Sequence, residues 1–308
     1  MITFVALSPS VDVTYLVEEF AEGGTFRPTA VMRVAGGKAL NAARAARVVG
    51  ASVRAVAILG GTSGDFVRQQ LAVAGVPLET VDAVAETRTC VSVASAASGL
   101  LTELYEHPSA ISTDELAALE RLLGRPGEPG WWAISGGMPS SIPVDELAGI
   151  VRLGHSLGQN VAIDTHGAAL AAALDARPDL VKVNRREAAE LLGADADAGA
   201  DAFTLAQRIR SVTRGRVVIT DGAEGSIAVD DSSRWRATWT GAIGRFPVGS
   251  GDSYLGGLLA GIDRGDPFDD ALRLAAGAAT ANALVPGAGV FTADAAAQIA
   301  EEVVVSEG

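Results

Sequence analysis

Along this chain, short apolar runs alternate with longer stretches in which apolar positions recur every three to four residues. ITFVALS, VRAVAILG, WWAISGG, NVAIDTHG, LVKVN and RVVITDG are near-continuous apolar runs that end in small or polar residues, and they are expected to be strands. Between them the spacing predicts helices over 38–49, 65–74, 113–123, 144–157, 185–192 and 204–213. Strands this apolar need cover on both faces, so the alternation predicts an α/β protein with a mainly parallel sheet between layers of helices. In such sheets ligands bind beyond the carboxyl ends of the strands, which directs attention to the loops that follow these runs.

Two segments break the rhythm. TYLVEEF and TAVMRVA within 11–34, and RTCVSVASA and GLLTELY within 87–107, look like β-hairpin material with no helix between. Strands that border the core at two separate places can pair into a small sheet of their own, so they are expected to form a lid on a single domain spanning 1–308. GADADAGADA at 193–202 is a small, polar loop, and no repeat with a period of tens of residues is visible.

Composition narrows the function classes. A formal net charge of -13 disfavours broad attraction to nucleic acid or to an anionic membrane surface. An anionic substrate would therefore need a local cluster of cations and backbone N–H groups. Cys90 is the one cysteine, which excludes an internal disulfide and fits a reducing cytoplasm. His107, His155 and His166 lack metal-ligand spacing, so zinc is not expected. The start MITFVALSPSVDVTY has no basic region and carries Asp12 early, unlike a signal peptide, and the charge-free stretch 274–293 is broken by Pro286 and glycines, unlike a membrane span.

The most informative run is PVGSGDSYLGGLLAG, 247–261. Gly249, Ser250 and Gly251 precede Asp252, and an apolar helix follows. Glycines let several N–H groups turn toward one point, and the helix start adds unpaired N–H groups and the positive end of its dipole. Together they suit a phosphoryl group in transfer, with the Asp252 carboxylate placed to accept a proton from an alcohol. On local grounds alone, Asp252 as a helix N-cap after an ordinary glycine turn is a competing reading. No G-x-x-x-x-G-K-S/T is present, which removes a P-loop ATPase from consideration.

Near the other end, RVAGGKALNAARAARVVGA sets Gly36 and Gly37 before a helix that starts at Lys38, with Asn41 three residues on. A glycine pair allows close approach of a ligand, a lysine meets an anionic oxygen and a carboxamide bonds hydroxyls. A plain loop with a solvated lysine remains open here.

These two motifs, in this order and about two hundred residues apart, resemble the two signatures of the PfkB/ribokinase carbohydrate kinases, and more closely the 1-phosphofructokinase and tagatose-6-phosphate kinase branch. LSPSVDVTY, GGKALN, LGGTSGDFVRQQLAVAGV, ETRTCVSV, SGGMPSSIP, DTHGAAL, KVNRREAAELLG and PVGSGD carry the similarity almost end to end. Departures are Ala39 for a glycine, SGGMPSSIP without the usual PPG, and ELYEHPSAIS in place of NEPGP.

The resemblance implies a ribokinase-like three-layer α/β/α fold with a small β-sheet lid. It also implies an ATP- and Mg2+-dependent kinase that phosphorylates a hydroxyl of a ketohexose phosphate, of fructose 1-phosphate or tagatose 6-phosphate type, to a hexose bisphosphate. Under it, Asp252 is the catalytic base, while Gly249, Ser250 and Gly251 stabilise the moving phosphoryl group. Asp12, Gly36, Gly37, Lys38 and Asn41 would meet the sugar, and Arg27 and Arg88 would join Lys38 in a three-cation grip on the phosphate it already carries. Asn184 and Glu187 would organise Mg2+ through water near the nucleotide phosphates, and Thr220, Gly222, Gly225 and Asn282 would border the nucleotide. Locally, Asn184 and Glu187 read equally as an N-cap and its third position, and ITDGAEGS as a hairpin turn. A kinase of fructose 6-phosphate, a kinase of an unphosphorylated sugar or nucleoside, and a non-catalytic sensor stay open as alternatives. The open edges of a lid sheet could pair with a second copy, giving a homodimer.

Overall fold

The strands of the computed structural model are, in chain order, β1 (Ile2–Ala6), β2 (Ser10–Val17), β3 (Ala30–Gly36), β4 (Val53–Leu59), β5 (Leu78–Asp82), β6 (Arg88–Ser95), β7 (Leu101–Tyr105), β8 (Trp131–Ser135), β9 (Asn160–Asp164), β10 (Leu180–Asn184), β11 (Arg216–Thr220), β12 (Ser226–Val229), β13 (Arg234–Thr238) and β14 (Val304–Glu307). The helices are α1 (Lys38–Val48), α2 (Gly61–Val73), α3 (Thr113–Leu123), α4 (Asp145–Ser156), α5 (Gly167–Asp175), α6 (Arg185–Leu191), α7 (Ala202–Arg210), α8 (Ser250–Arg264), α9 (Phe268–Ala283) and α10 (Ala293–Glu302). Residues 1–125, 127–194 and 201–308 are described; the loop expected at 193–202 lies, for 195–200, outside the described residues.

Ten strands form the central sheet in the order β14-β13-β12-β11-β10-β9-β8-β1-β4-β5. Pairing is parallel from β11 through to β5 and antiparallel for the three strands at the β14 edge. All six apolar runs are strands of the parallel part, as their two-sided burial requires. In β1, Ile2, Phe4 and Ala6 enter a core shared with α1, α2, α8, α9 and α10, whereas Val5 enters a second core with α3 to α7. Two apolar cores on opposite faces of one sheet are the three layers. The pattern had not suggested β5, β12–β14, α5 or α10. The edge strands are short, with charged Arg234 and Arg236 in β13, and Ala-rich α5 offers little amphipathic contrast.

A separate four-stranded sheet, β3-β2-β6-β7, uses the two segments that broke the rhythm. The parallel β2–β6 register sets Ser10 opposite Arg88 and Asp12 opposite Cys90, so Ser10, Asp12 and Arg88 share one face. Among the described residues, no helix is long and apolar enough to cross a membrane.

Packing of small residues brings the two glycine motifs together. A Cβ at Gly256 of α8 would lie 2.9 Å from the Ala46 nitrogen of α1, so the two helices touch backbone to backbone. Their N-terminal ends then stand side by side, near the carboxyl ends of β9 and β10.

Candidate active site

The α8 end presents open N–H donors. Gly249, in the left-handed conformation at φ 78°, is its N-cap, and no side chain caps the helix. The Ser250 N–H donates to the Pro247 carbonyl at 3.0 Å, while those of Gly251 and Asp252 have no acceptor among the described residues. Of the expected trio Gly249, Ser250 and Gly251, Ser250 spends its N–H in the turn, whereas the Gly249 N–H, like that of Gly251, has no backbone acceptor among the described residues. Gly251 has no positive φ, so its reason is space: a Cβ there would meet the Lys182 Nζ at 2.9 Å.

Asp252 is buried, with 7% of its surface exposed. Burial pushes its pKa up to about 6; Lys38 opposes the shift and Asp164 adds to it. Asn41 on α1 donates from Nδ2 to Asp252 Oδ2 at 2.9 Å and, more weakly, to Asp12 Oδ2 at 3.4 Å. Ser10 donates to the other oxygen of Asp12 at 2.6 Å. Gly36 leaves the room this needs, because a Cβ there would overlap the Asp12 carboxylate. One carboxamide therefore ties the small sheet (Asp12) to the helix end of the core (Asp252).

Beside them runs a chain of alternating charge. Lys182 on β10 donates to Asp164 Oδ2 at 3.0 Å, Lys38 lies 3.6 Å from Asp164 Oδ1, and Lys38 reaches Glu187 Oε1 at 3.3 Å. Asp164 is fully buried; although burial alone would raise its pKa, the two ammonium groups hold it below the usual carboxylate value. The Lys38 pKa is raised, chiefly by Asp164, so it stays charged. Of the three cations expected to form a cluster, Lys38 is held here by buried Asp164 and by Glu187 at the start of α6. Arg27 is exposed on the β2–β3 connection and makes no ion pair among the described residues. Arg88 donates to the Glu106 and Ser8 carbonyls at 2.8 and 3.4 Å and keeps a buried Nε without a partner.

Asn184 and Glu187 form a reciprocal capping box at the start of α6, with both bonds at 2.8 Å. This accounts for their spacing without a ligand and leaves Glu187 Oε1 facing Lys38. Thr220 ends β11, and Gly222 and Gly225 make the turn into β12; a Cβ at Gly225 would overlap the Ala237 carbonyl of β13. Asn282, expected against the nucleotide, is corrected to a supporting position. It is fully buried, donating to the Val248 carbonyl at 2.8 Å and to Ser250 Oγ at 3.2 Å, and accepting from the Gly289 N–H at 2.7 Å. Its carboxamide holds the turn that leads into α8.

Three site residues escaped the sequence reading: Asp164, Lys182 and Arg44. Asp164 and Lys182 sit in apolar strands, and a charge that interrupts such a run near its carboxyl end was the available signal. Arg44 is buried on α1 and donates to Asn41 Oδ1 at 2.7 Å. Among the described residues no group of three or more acidic, His or Cys side chains is gathered for direct metal ligation.

The sequence profile of the pfkB family carbohydrate kinases matches residues 3–295. Phosphofructokinase-2 from Escherichia coli in complex with potassium is similar at 27% identity with a TM-score of 0.91, over 98% of each chain. The same protein in complex with fructose-6-phosphate gives 27% and 0.89, again over 98% of each chain. A Thermotoga maritima protein named a possible 1-phosphofructokinase shares the fold at 19% identity and a TM-score of 0.90, over 100% of this chain and 99% of its own.

Proposed function

The chain belongs to the pfkB family of carbohydrate kinases, phosphotransferases with an alcohol acceptor on a ribokinase-like fold, and within it we propose that the chain moves the γ-phosphoryl group of MgATP to a free hydroxyl of a ketohexose phosphate of the fructose 1-phosphate or tagatose 6-phosphate type. The observation that carries this reading is the Asp252 carboxylate beside the free N–H groups of α8, bridged through Asn41 to Asp12. Asp12 and Asn41 hold sugar hydroxyls, and Asp252 accepts the proton of the attacking one. The acceptor oxygen bonds to the γ-phosphorus as the bond to the ADP oxygen breaks. Charge spreading over the phosphoryl oxygens meets the Gly251 and Asp252 N–H groups, the helix dipole, Lys182 and Lys38. Arg88 and Arg27 take the phosphate already on the sugar, and the unpartnered Nε of Arg88 supports that role.

The buried Asp164 Oδ1, which lacks a hydrogen-bond partner, and Glu187 Oε1 offer the oxygen chemistry that a hydrated Mg2+ accepts. Glu187 and Asn184 would hold that ion through water, and it supplies neutralising charge to the nucleotide phosphates. Thr220, Gly222 and Gly225 would border the nucleotide at the β11 end. The small sheet acts as a lid that excludes water over the sugar, which limits ATP hydrolysis. Val31, Leu104 and Tyr105 are exposed on it, apolar surface suited to pairing of two copies through the lid.

A second reading, fructose 6-phosphate as acceptor, is favoured by the likeness to phosphofructokinase-2 over nearly the whole chain. Coupled ADP release with fructose 1-phosphate, tagatose 6-phosphate, fructose 6-phosphate and the free sugars separates the two. The highest kcat/KM on one of the first two supports the proposal. A preference for fructose 6-phosphate or for a free sugar refutes the choice of acceptor, and silence with all of them refutes the kinase.

A further inference from the structure

Arg44 has no task in the scheme above, yet the fold spends a buried cation on it. Its side chain projects from α1 one turn beyond Asn41, and 6% of the residue is exposed. The turn at Gly289 closes over it, where a Cβ would stand 3.6 Å from Arg44 Cζ. Burial pulls its pKa down to about 10, opposed by Asp12 and Asp252, so it remains charged at neutral pH. A guanidinium only donates hydrogen bonds. Its Nη2 donates to Asn41 Oδ1 at 2.7 Å, while Asn41 Nδ2 faces Asp252 at 2.9 Å and Asp12 at 3.4 Å.

A carboxamide has nearly the same shape when its oxygen and nitrogen are exchanged, so only its neighbours decide which end faces the carboxylates. While Asp252 is ionised, the carboxylates themselves favour the amino end. Once Asp252 has accepted the substrate proton, it becomes a donor, and a flipped Asn41 could accept from it. The flip would disconnect Asp12 and hold the proton on Asp252 in an unproductive bond. With Arg44 behind it, the flipped amide would bring two donors together. We propose that Arg44 is a positioning residue that locks the Asn41 carboxamide with its amino group toward Asp252 and Asp12 in both protonation states of Asp252. The charged and polar groups around that carboxylate are Lys38, Asn41 and Arg44 of α1, Asp12 of β2, Asp164 of β9 and Lys182 of β10.

This inference rests on the kinase reading, and wild-type ADP release on the sugar panel tests that reading separately. The direct test is a double-mutant cycle with Arg44→Met, Asn41→Ala and the pair, using whichever sugar phosphate the wild type turns over best. Arg44→Met should lower kcat by roughly 10- to 100-fold with the KM for ATP within about twofold, the scale of one lost charge-assisted contact. In the Asn41→Ala background the same change should cost less than about threefold, because the group it acts through is gone. Arg44→Lys, a cation that also only donates, should recover kcat relative to Arg44→Met. Independent losses that multiply in the double variant, or a kcat for Arg44→Met within about threefold of wild type, overturn the inference while leaving the kinase intact. Should Arg44→Met not accumulate as folded protein, Arg44→Gln replaces it in the cycle, since a group that both donates and accepts no longer forbids the flip.

Discussion

Replacing Asp252 by asparagine should make the protein more stable and nearly inactive, and the structure sets the size of both effects. Asp252 is buried, and its pKa stands at about 6 against the ordinary 3.8. A folded-state pKa above the unfolded one means that the native state binds this proton more tightly. The ionised group therefore costs nothing well below pH 3.8 and its full penalty above about pH 6. At 1.36 kcal/mol per pH unit the penalty is about 3 kcal/mol at pH 8, and linkage leaves about half of it at pH 5. Asparagine keeps the shape, never ionises, and still offers an oxygen to Asn41 Nδ2. With about 2.1 cal/mol/K of unfolding entropy per residue, Asp252→Asn should raise Tm by about 5 °C at pH 8 and by about half that at pH 5. In the ADP-release assay the same variant should lose roughly two to four orders of magnitude in kcat, the scale of a lost general base. Wild-type kcat/KM should fall as pH drops through about 6, following protonation of the free carboxylate. An Asp252→Asn protein no more stable than wild type at pH 8, or one whose advantage is the same at pH 5, would refute the buried-carboxylate argument. Turnover near that of wild type would refute the base.

Other expectations are shorter to state. Arg88→Ala should raise KM for a phosphorylated sugar by roughly 10- to 100-fold, the worth of one or two charge-assisted bonds, and leave weak turnover of the free sugar unchanged; equal losses on both would deny it a phosphate contact. Gly251→Ala puts a methyl group 2.9 Å from the Lys182 ammonium. It should weaken ATP more than ADP by about tenfold in calorimetric titration, because only ATP brings the γ-phosphate that this ammonium faces. Ser112 accepts the Glu115 N–H at 3.2 Å in a capping box that includes none of the candidate site residues. Ser112→Ala should therefore cost about 1 kcal/mol in urea denaturation and leave kcat untouched.

The parts of this molecule that could be read from its sequence are those in which one physical demand selects several neighbouring residues. A strand buried on both faces needs an unbroken apolar run, so six parallel strands could be read while half-exposed β5 at the sheet edge could not, and a glycine turn before an apolar helix drew attention to Asp252. Arg44, Lys182 and Asp164 belong to another kind, in which a single residue answers a demand made by a distant segment. LVKVN looks like a strand with or without a partner for its lysine, and only the β9–β10 pairing sets Asp164 within 3.0 Å of Lys182 Nζ. Arg44 stands in AARAARVVG, where alanines on both sides hide that it lies beneath the distant Gly289 turn. The direction of Lys38 was not legible, because a first-turn lysine can swing to either side of its helix, and here Asp164 and Glu187 hold it. Nor could the sequence show that the Asn282 carboxamide is consumed in holding the turn before α8. The common cause is geometric: helix and strand periodicity specify which face a residue occupies, but the partner on that face depends on how α1, α8 and α9 are stacked. That stacking is set by Gly256 and Gly257 fitting against Ala46 and Ala275, contacts between residues too small to leave a hydrophobic signature. A polar residue that interrupts an alanine- or valine-rich element near the carboxyl end of a parallel sheet is thus the trace that distant partners leave in such a sequence, and Arg44 and Lys182 both carry it.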